Sequence, residues 1–250
     1  MRSLKMGYVG AVLVVIITFF STVAMAAYDP TAKILSKVQG TWYDLSGNAV
    51  LDFQADTVNG RKIVGAYSPA GGSSDFSCII RIIENGEYRD LPIIGENLGD
   101  GNYHSHIIFN GDNRDDSKGV LLMRTTEVKF QETVGGIGID MPAKEVLNRY
   151  GNPDSIESKG GVSVWKYHNL GLELSMRHQR VWIIKIYKSG NRHFDRTGFN
   201  CANAPYEFQT AYGFKHIPSA GTFGAFEVGH GEYMWFDEYP NCIKLSTFWN

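Results

Sequence analysis

The chain has 250 residues, is 43% hydrophobic and 20% charged, and carries a formal net charge of −2. Normal apolar content with so little net charge excludes intrinsic disorder, and the slight acidic excess gives no field that attracts phosphate, which disfavours nucleic-acid binding. Three cysteines are too few for a disulfide scaffold.

Residues 1–26 have the layout of a signal peptide. Arg2 and Lys5 precede an apolar run from Val9 to Phe20, and Ala24-Met25-Ala26 offers small residues to a signal peptidase. The run is short for a bilayer span, so cleavage is expected before Ala27. Removing Arg2 and Lys5 lowers Lys+Arg from 24 to 22 against 26 acidic residues. No later apolar stretch is long enough to cross a membrane. The expected product is periplasmic or secreted, with no membrane span after cleavage.

Asp29-Pro30 predicts the start of a short helix, with Thr31, Ile34, Leu35 and Val38 on one face and Gly40 ending it. Short strands are then expected at Thr41–Leu45, Ala49–Gln54, Lys62–Tyr67, Phe76–Glu84, Glu87–Ile94, Tyr103–Asn110, Gly119–Thr125 and Val128–Gln131. Turn residues separate them, and Asn85-Gly86 between two apolar runs is the clearest hairpin signal. Many short, evenly spaced strands predict an antiparallel barrel or sandwich over 27–134.

The pattern changes at Gly135-Gly136, which the sequence offers as a hinge between two domains. A helix is expected from Met141 to Tyr150, capped by Asp140, with Ala143, Val146, Leu147 and Tyr150 on its apolar face. Three strands follow at Val162–Tyr167, Leu170–Met176 and Val181–Tyr187. Residues 205–213 echo the first helix, and strands are again expected at Thr222–Val228, Glu232–Tyr239 and Cys242–Trp249. The expected class is α+β: an antiparallel β-rich barrel, then an α+β domain (135–250) of helix plus three-stranded antiparallel sheet. The pattern admits a tandem repeat of that unit, at 135–200 and 201–250.

Two stretches resemble known families. Gly40-Thr41-Trp42-Tyr43, after a short helix, resembles the Gly-x-Trp start of lipocalin-like domains, in which the tryptophan closes one end of the barrel. Gly136-Ile137-Gly138-Ile139-Asp140-Met141, Glu145-Val146, Tyr150-Gly151-Asn152-Pro153 and Trp165-Lys166-Tyr167 are similar to the outer-membrane assembly lipoproteins called BamE or SmpA/OmlA. They are also similar to the related repeats of β-lactamase inhibitory protein. Pro142 stands where that family has a capping Ser or Thr, and the lipid-bearing cysteine is absent. The resemblance implies fold-forming rather than catalytic roles for these residues.

Candidate chemistry is sparse. His104-x-His106 on one strand puts two imidazoles on one face, a weak metal candidate; a solvated strand face is the stronger expectation. Asp112, Asn113, Asp115 and Asp116 form an oxygen-rich loop that suits hard cations, yet a plain polar hairpin loop outweighs that reading. No cofactor is expected. There is no G-x-S-x-G, S-x-x-K or H-E-x-x-H. Cys201 and Cys242 are candidates for a disulfide, while Cys78 suits a buried thiol.

Aromatic residues carry the strongest functional signal. Trp165, Tyr167 and Trp182 fall in the first unit, Tyr233 and Trp235 in the second, and an exposed aromatic sheet face engages proteins. Trp235 and Phe236 are neighbours on opposite faces, so one leaves the core unless both faces are covered. The expected function is non-enzymatic binding of a protein partner in the bacterial cell envelope or outside it. The alternative is a carrier of a small apolar ligand in the N-terminal barrel. An envelope hydrolase is the third choice.

Overall fold

The computed structural model describes residues 30–72, 75–111, 119–219 and 224–247. The signal-like residues 1–26 and the loop residues Asp112, Asp115 and Asp116 lie outside them.

Helix α1 (Pro30–Val38) buries Ile34 and Val38 against one end of a barrel. Trp42 of β1 (Gly40–Tyr43) donates its indole N–H to Val38 O at 2.7 Å, which ties the helix end to the barrel. The Arg124 guanidinium lies 4.4 Å from the centre of the Trp42 ring and donates to the carbonyls of Lys37 and Gln39. It thereby satisfies carbonyls that the helix leaves open.

Strands β2 (Ala49–Gln54), β3 (Thr57–Val58), β4 (Arg61–Gly71), β5 (Phe76–Glu84), β6 (Glu87–Glu96), β7 (His106–Phe109) and β8 (Val120–Met123) follow β1 in an antiparallel closed barrel. Closure is made by Tyr43 opposite Met123. Alternation decides which side chains enter: Phe76, Cys78, Ile80 and Ile82 point inward from β5. Asn85 and Gly86 take φ of 54° and 84°, the two left-handed positions of a type I′ hairpin. Trp42, Phe53, Ile80, Ile93, Ile107 and Leu122 fill the interior. Two predicted strands differ. Residues 103–105 and 128–131 are outside the ladder, because their backbone and side chains bond to the second domain instead.

Beyond the barrel come α2 (Ala143–Tyr150), β9 (Ser155–Lys159), β10 (Val162–Tyr167), a 3-10 turn (His168–Leu170), β11 (Leu172–Arg177) and β12 (Arg180–Tyr187). α3 (Pro205–Tyr212), β13 (Ala225–Gly229), β14 (Glu232–Trp235) and β15 (Cys242–Thr247) complete the chain. The strands form one seven-stranded antiparallel sheet in the order β13-β14-β15-β12-β11-β10-β9. The two helix-plus-strands units therefore share a sheet, joined where Ile184 faces Leu245 and Ile186 faces Ile243. Strand β12 is central, as expected, with β11 on one edge and β15 on the other. Strand β9 was not anticipated, since SIESK is an almost wholly exposed edge.

One face of the sheet is core. Trp165, Leu174, Ile184, Leu245 and Met234 form a row across five strands and share a core with Val146 of α2 and Phe208 of α3. This corrects the expectation for Trp165 and Tyr167. Both are buried, on the inward parity of β10, and the Tyr167 hydroxyl donates to Gly151 O at 3.0 Å.

Three further expectations change. Gly135-Gly136 is not a hinge: both amides donate to Asp195, and a Cβ on Gly135 would lie 1.9 Å from the Tyr150 hydroxyl. Asp140 does not cap α2; Pro142 precedes the helix with no side-chain cap. Cys201 and Cys242 are both buried and free, with the Cys201 thiol donating to Ile186 O at 3.4 Å. Burial pushes their thiol pKa values up to about 11 and about 12, so both stay protonated. Among the described residues no helix is long and apolar enough to cross a membrane.

Candidate functional site

The barrel meets the sheet through its β6–β7 loop, which two hairpin tips of the sheet grip. The β13–β14 tip is one. Its His230 ring stacks on Tyr103 with centroids 4.0 Å apart, and Nδ1 of His230 donates to Gly101 O at 3.1 Å. Next to it, Gly231 sits at φ 87°, and a Cβ there would lie 2.3 Å from Asn102. The β11–β12 tip is the other. Its turn residues His178 and Gln179 take φ of 48° and 60°, left-handed positions held by non-glycine residues. Arg177 leads into that turn, reaches the barrel and makes a two-pronged bond to Glu96, at 2.9 and 3.1 Å.

Between the two tips lies a buried charged cluster. His104, 0% exposed, donates from Nδ1 to Asp140 Oδ2 at 2.7 Å and from Nε2 to Glu232 Oε1 at 3.0 Å. With a carboxylate at each nitrogen, the ring is an imidazolium. Burial acts against that charge, but the two carboxylates outweigh it and raise the pKa to about 9. His106 reaches the same oxygen of Asp140 at 3.0 Å. Burial would raise the Asp140 pKa, yet the two histidines hold its carboxyl far below the usual range.

The backbone fixes this geometry. Asp140 sits at φ 67°, its N–H donates to Val181 O, and its carbonyl accepts from Arg180 Nη1 at 2.6 Å. Glu232 has the inward parity of Met234, and its oxygens accept the N–H groups of Gln131 and Glu132 at 2.7 and 2.9 Å. Burial raises the Glu132 pKa in turn, against bonds from the Tyr212 hydroxyl and the amides of Thr133 and Arg196. The connecting segment 131–136 is thus held by Glu232 and Asp195.

Comparison with family models, curated proteins and solved structures gives no match. The site is therefore read from its own geometry.

His104 and His106 do come together, but neither forms a solvated strand face, and His104 precedes β7. Both nitrogens of His104 are N–H donors with no lone pair for a metal. Among the described residues, no group of three or more His, Cys, Asp or Glu is arranged to hold an ion. The cluster has His104 and Glu232 fully buried, with His106 and Asp140 at the edge of a narrow slot. It acts as a clamp between barrel and sheet.

The aromatic candidates divide. Trp182 is half-buried at the junction, with the Arg177 guanidinium 3.6 Å from its ring centre. Tyr233 and Trp235 point to the face opposite the core, while Phe236 is fully buried, so the neighbouring pair splits as expected. Trp235 donates to Ser246 Oγ at 2.9 Å, and Lys244 Nζ lies 4.3 Å from its ring centre. Lys244 also faces Lys185 directly across the β12–β15 pair. Lys185 bonds Glu238 at 3.1 Å and lies 4.0 Å from Glu173. Lys244 has no ion-pair partner among the described residues. Burial lowers its pKa and Lys185 adds to the effect, against the pull of Asp237 and Glu238.

Proposed function

We propose that the protein is a non-enzymatic binding protein, exported by residues 1–26 to the periplasm or beyond. It engages an acidic surface of a protein partner through the outer face of its seven-stranded sheet. The observation that carries this reading is Lys244: a half-buried ammonium set against Trp235 and opposite Lys185, near Asp237 and Glu238 but, among the described residues, with no carboxylate at ion-pair distance. A partner carboxylate would complete the charge, and Trp235, Tyr233 and Ile183 supply half-exposed apolar area beside it. The barrel, with α1 and Trp42 closing one end, supports a lipocalin-like reading of residues 27–134. Two helix-plus-strands units in one sheet support the BamE-like tandem reading of 135–250. The test is affinity enrichment from envelope extract with wild type, Trp235→Ala and Lys244→Glu in parallel. A partner enriched by wild type and lost from both variants supports the reading, and equal enrichment by all three removes it.

A second reading has its own observation. The barrel end away from the sheet keeps a cavity of about 160 Å³ lined by Leu51, Val58, Ile82, Leu91 and Phe109, with Arg61 and Arg89 at its mouth. Space of that size accepts a benzene-sized ligand, not a long acyl chain. Native mass spectrometry with small aromatic compounds tests it: one bound molecule, abolished by Leu91→Trp, is the supporting result.

A further inference from the structure

Behind the β11–β12 tip, a narrow slot separates the sheet from the barrel. It holds about 30 Å³, is partly open to solvent, and is lined by Arg177, Arg180 and Trp182 from the sheet and by His106 and Asn97 from the barrel. That volume takes roughly two water-sized groups.

Its walls are rich in donors that the protein itself does not satisfy. Arg180 is 7% exposed, and its Nη1 donates to Asp140 O. Among the described residues, Arg180 Nε and Trp182 Nε1 are buried and have no hydrogen-bond partner. Buried donors left unmet are costly, so native proteins place an acceptor against them. Arg180 also has no ion-pair partner among the described residues. The carboxylates that share the slot are already engaged: Glu96 by Arg177, and Asp140 by the two histidines. The slot therefore offers one guanidinium charge and a neighbouring indole N–H, with the carboxylates that share it already hydrogen-bonded.

We infer that this slot binds a single carboxylate group, held between Arg180 Nε and Trp182 Nε1. A planar two-oxygen acceptor suits the flat guanidinium. A metal ion finds donors here where it needs lone pairs. The carboxylate arrives either on a free small acid or on a peptide-like stem. This inference does not depend on the outer-face reading above.

The test follows the Trp182 indole N–H and the Arg180 Nε–H by NMR in the full chain, while acetate, N-acetylglycine, acetamide or sulfate is added. The expected result is a saturable shift of both signals with acetate, with Kd on the order of a millimolar for so few atoms. Acetamide should bind about tenfold more weakly, as the charge on the acceptor is lost, and sulfate, not planar, should bind more weakly than acetate. N-acetylglycine matching acetate identifies a carboxylate on a stem, and acetate alone identifies a free small acid; either outcome supports the site. Arg180→Met should abolish the shift of Trp182. Should that variant fail to fold, Trp182→Phe decides, since it keeps the ring under Arg177 but removes the N–H, and should weaken acetate about tenfold. No saturable shift, or equal shifts with acetate and acetamide, would overturn the inference and leave water as the acceptor.

Discussion

His104 of the barrel donates to Asp140 of the sheet domain at 2.7 Å, and among the described residues no other bond between buried, oppositely charged groups joining the two parts is so short. Glu232 holds the opposite nitrogen of the same ring. The imidazolium is thus a bridge whose removal strands two carboxylates in the interior. His104→Gln should lower stability by about 3–5 kcal/mol, the cost of leaving buried charge uncompensated. His106→Gln should cost less, because among the described residues the His106 ring bonds one carboxylate, Asp140, where His104 bonds two. Urea unfolding midpoints of the two variants check the order.

The same bridge sets a pH dependence. The folded pKa of His104, about 9, lies above its unfolded value of about 6.5. Its contribution is therefore complete below pH 6.5 and lost as pH rises through about 9, amounting to about 3 kcal/mol. Asp140 acts in the opposite direction: its pKa is depressed, so its contribution persists above the usual carboxylate range and fades only in strong acid. Unfolding free energies between pH 6 and 9.5 should fall for wild type, and His104→Gln should flatten that slope.

Gly135 tests whether the connection between the domains is fixed. Gly135→Ala imposes a left-handed φ of 57° on alanine and drives its Cβ into the Tyr150 hydroxyl. The two effects together should cost about 3 kcal/mol. Gly160→Ala has the same φ of 57° but open space around it, and should cost about 1 kcal/mol. Thermal melts of the pair separate a packed turn from a loose linker.

Lys244 should trade stability for binding. It opposes Lys185 across two strands, an arrangement that destabilises a sheet. Lys244→Met should therefore leave stability unchanged or raise it by about 0.5 kcal/mol, while abolishing partner enrichment. A melt beside the enrichment assay reads both.

Much of the fold was legible because local chemistry dictated it. Strands β5 and β10 fall where alternation put them, and Asn85-Gly86 turns as its residues demand. The sharing of one sheet was not legible, since nothing in β12 or β15 specifies which strand it pairs with. The site was half legible. His104-x-His106 stood out as a pair, but its partners lie 36 and 128 residues from His104, at Asp140 and Glu232. One signal was available for the second: Glu232 shares the parity of Met234, so a strand buried on that face had to bury a carboxylate. Asp140 gave a misleading signal, because an aspartate two residues before Pro142 has the position of a helix cap.

The charge state of His104 is the most direct test. Its ring nitrogens can be read by 15N NMR in the folded protein at pH 7.5. The bridge requires both Nδ1 and Nε2 to carry protons there, with the ring titrating only near pH 9. A neutral ring with one bare nitrogen at pH 7.5 would contradict the bridge, and with it the account of how barrel and sheet are held together.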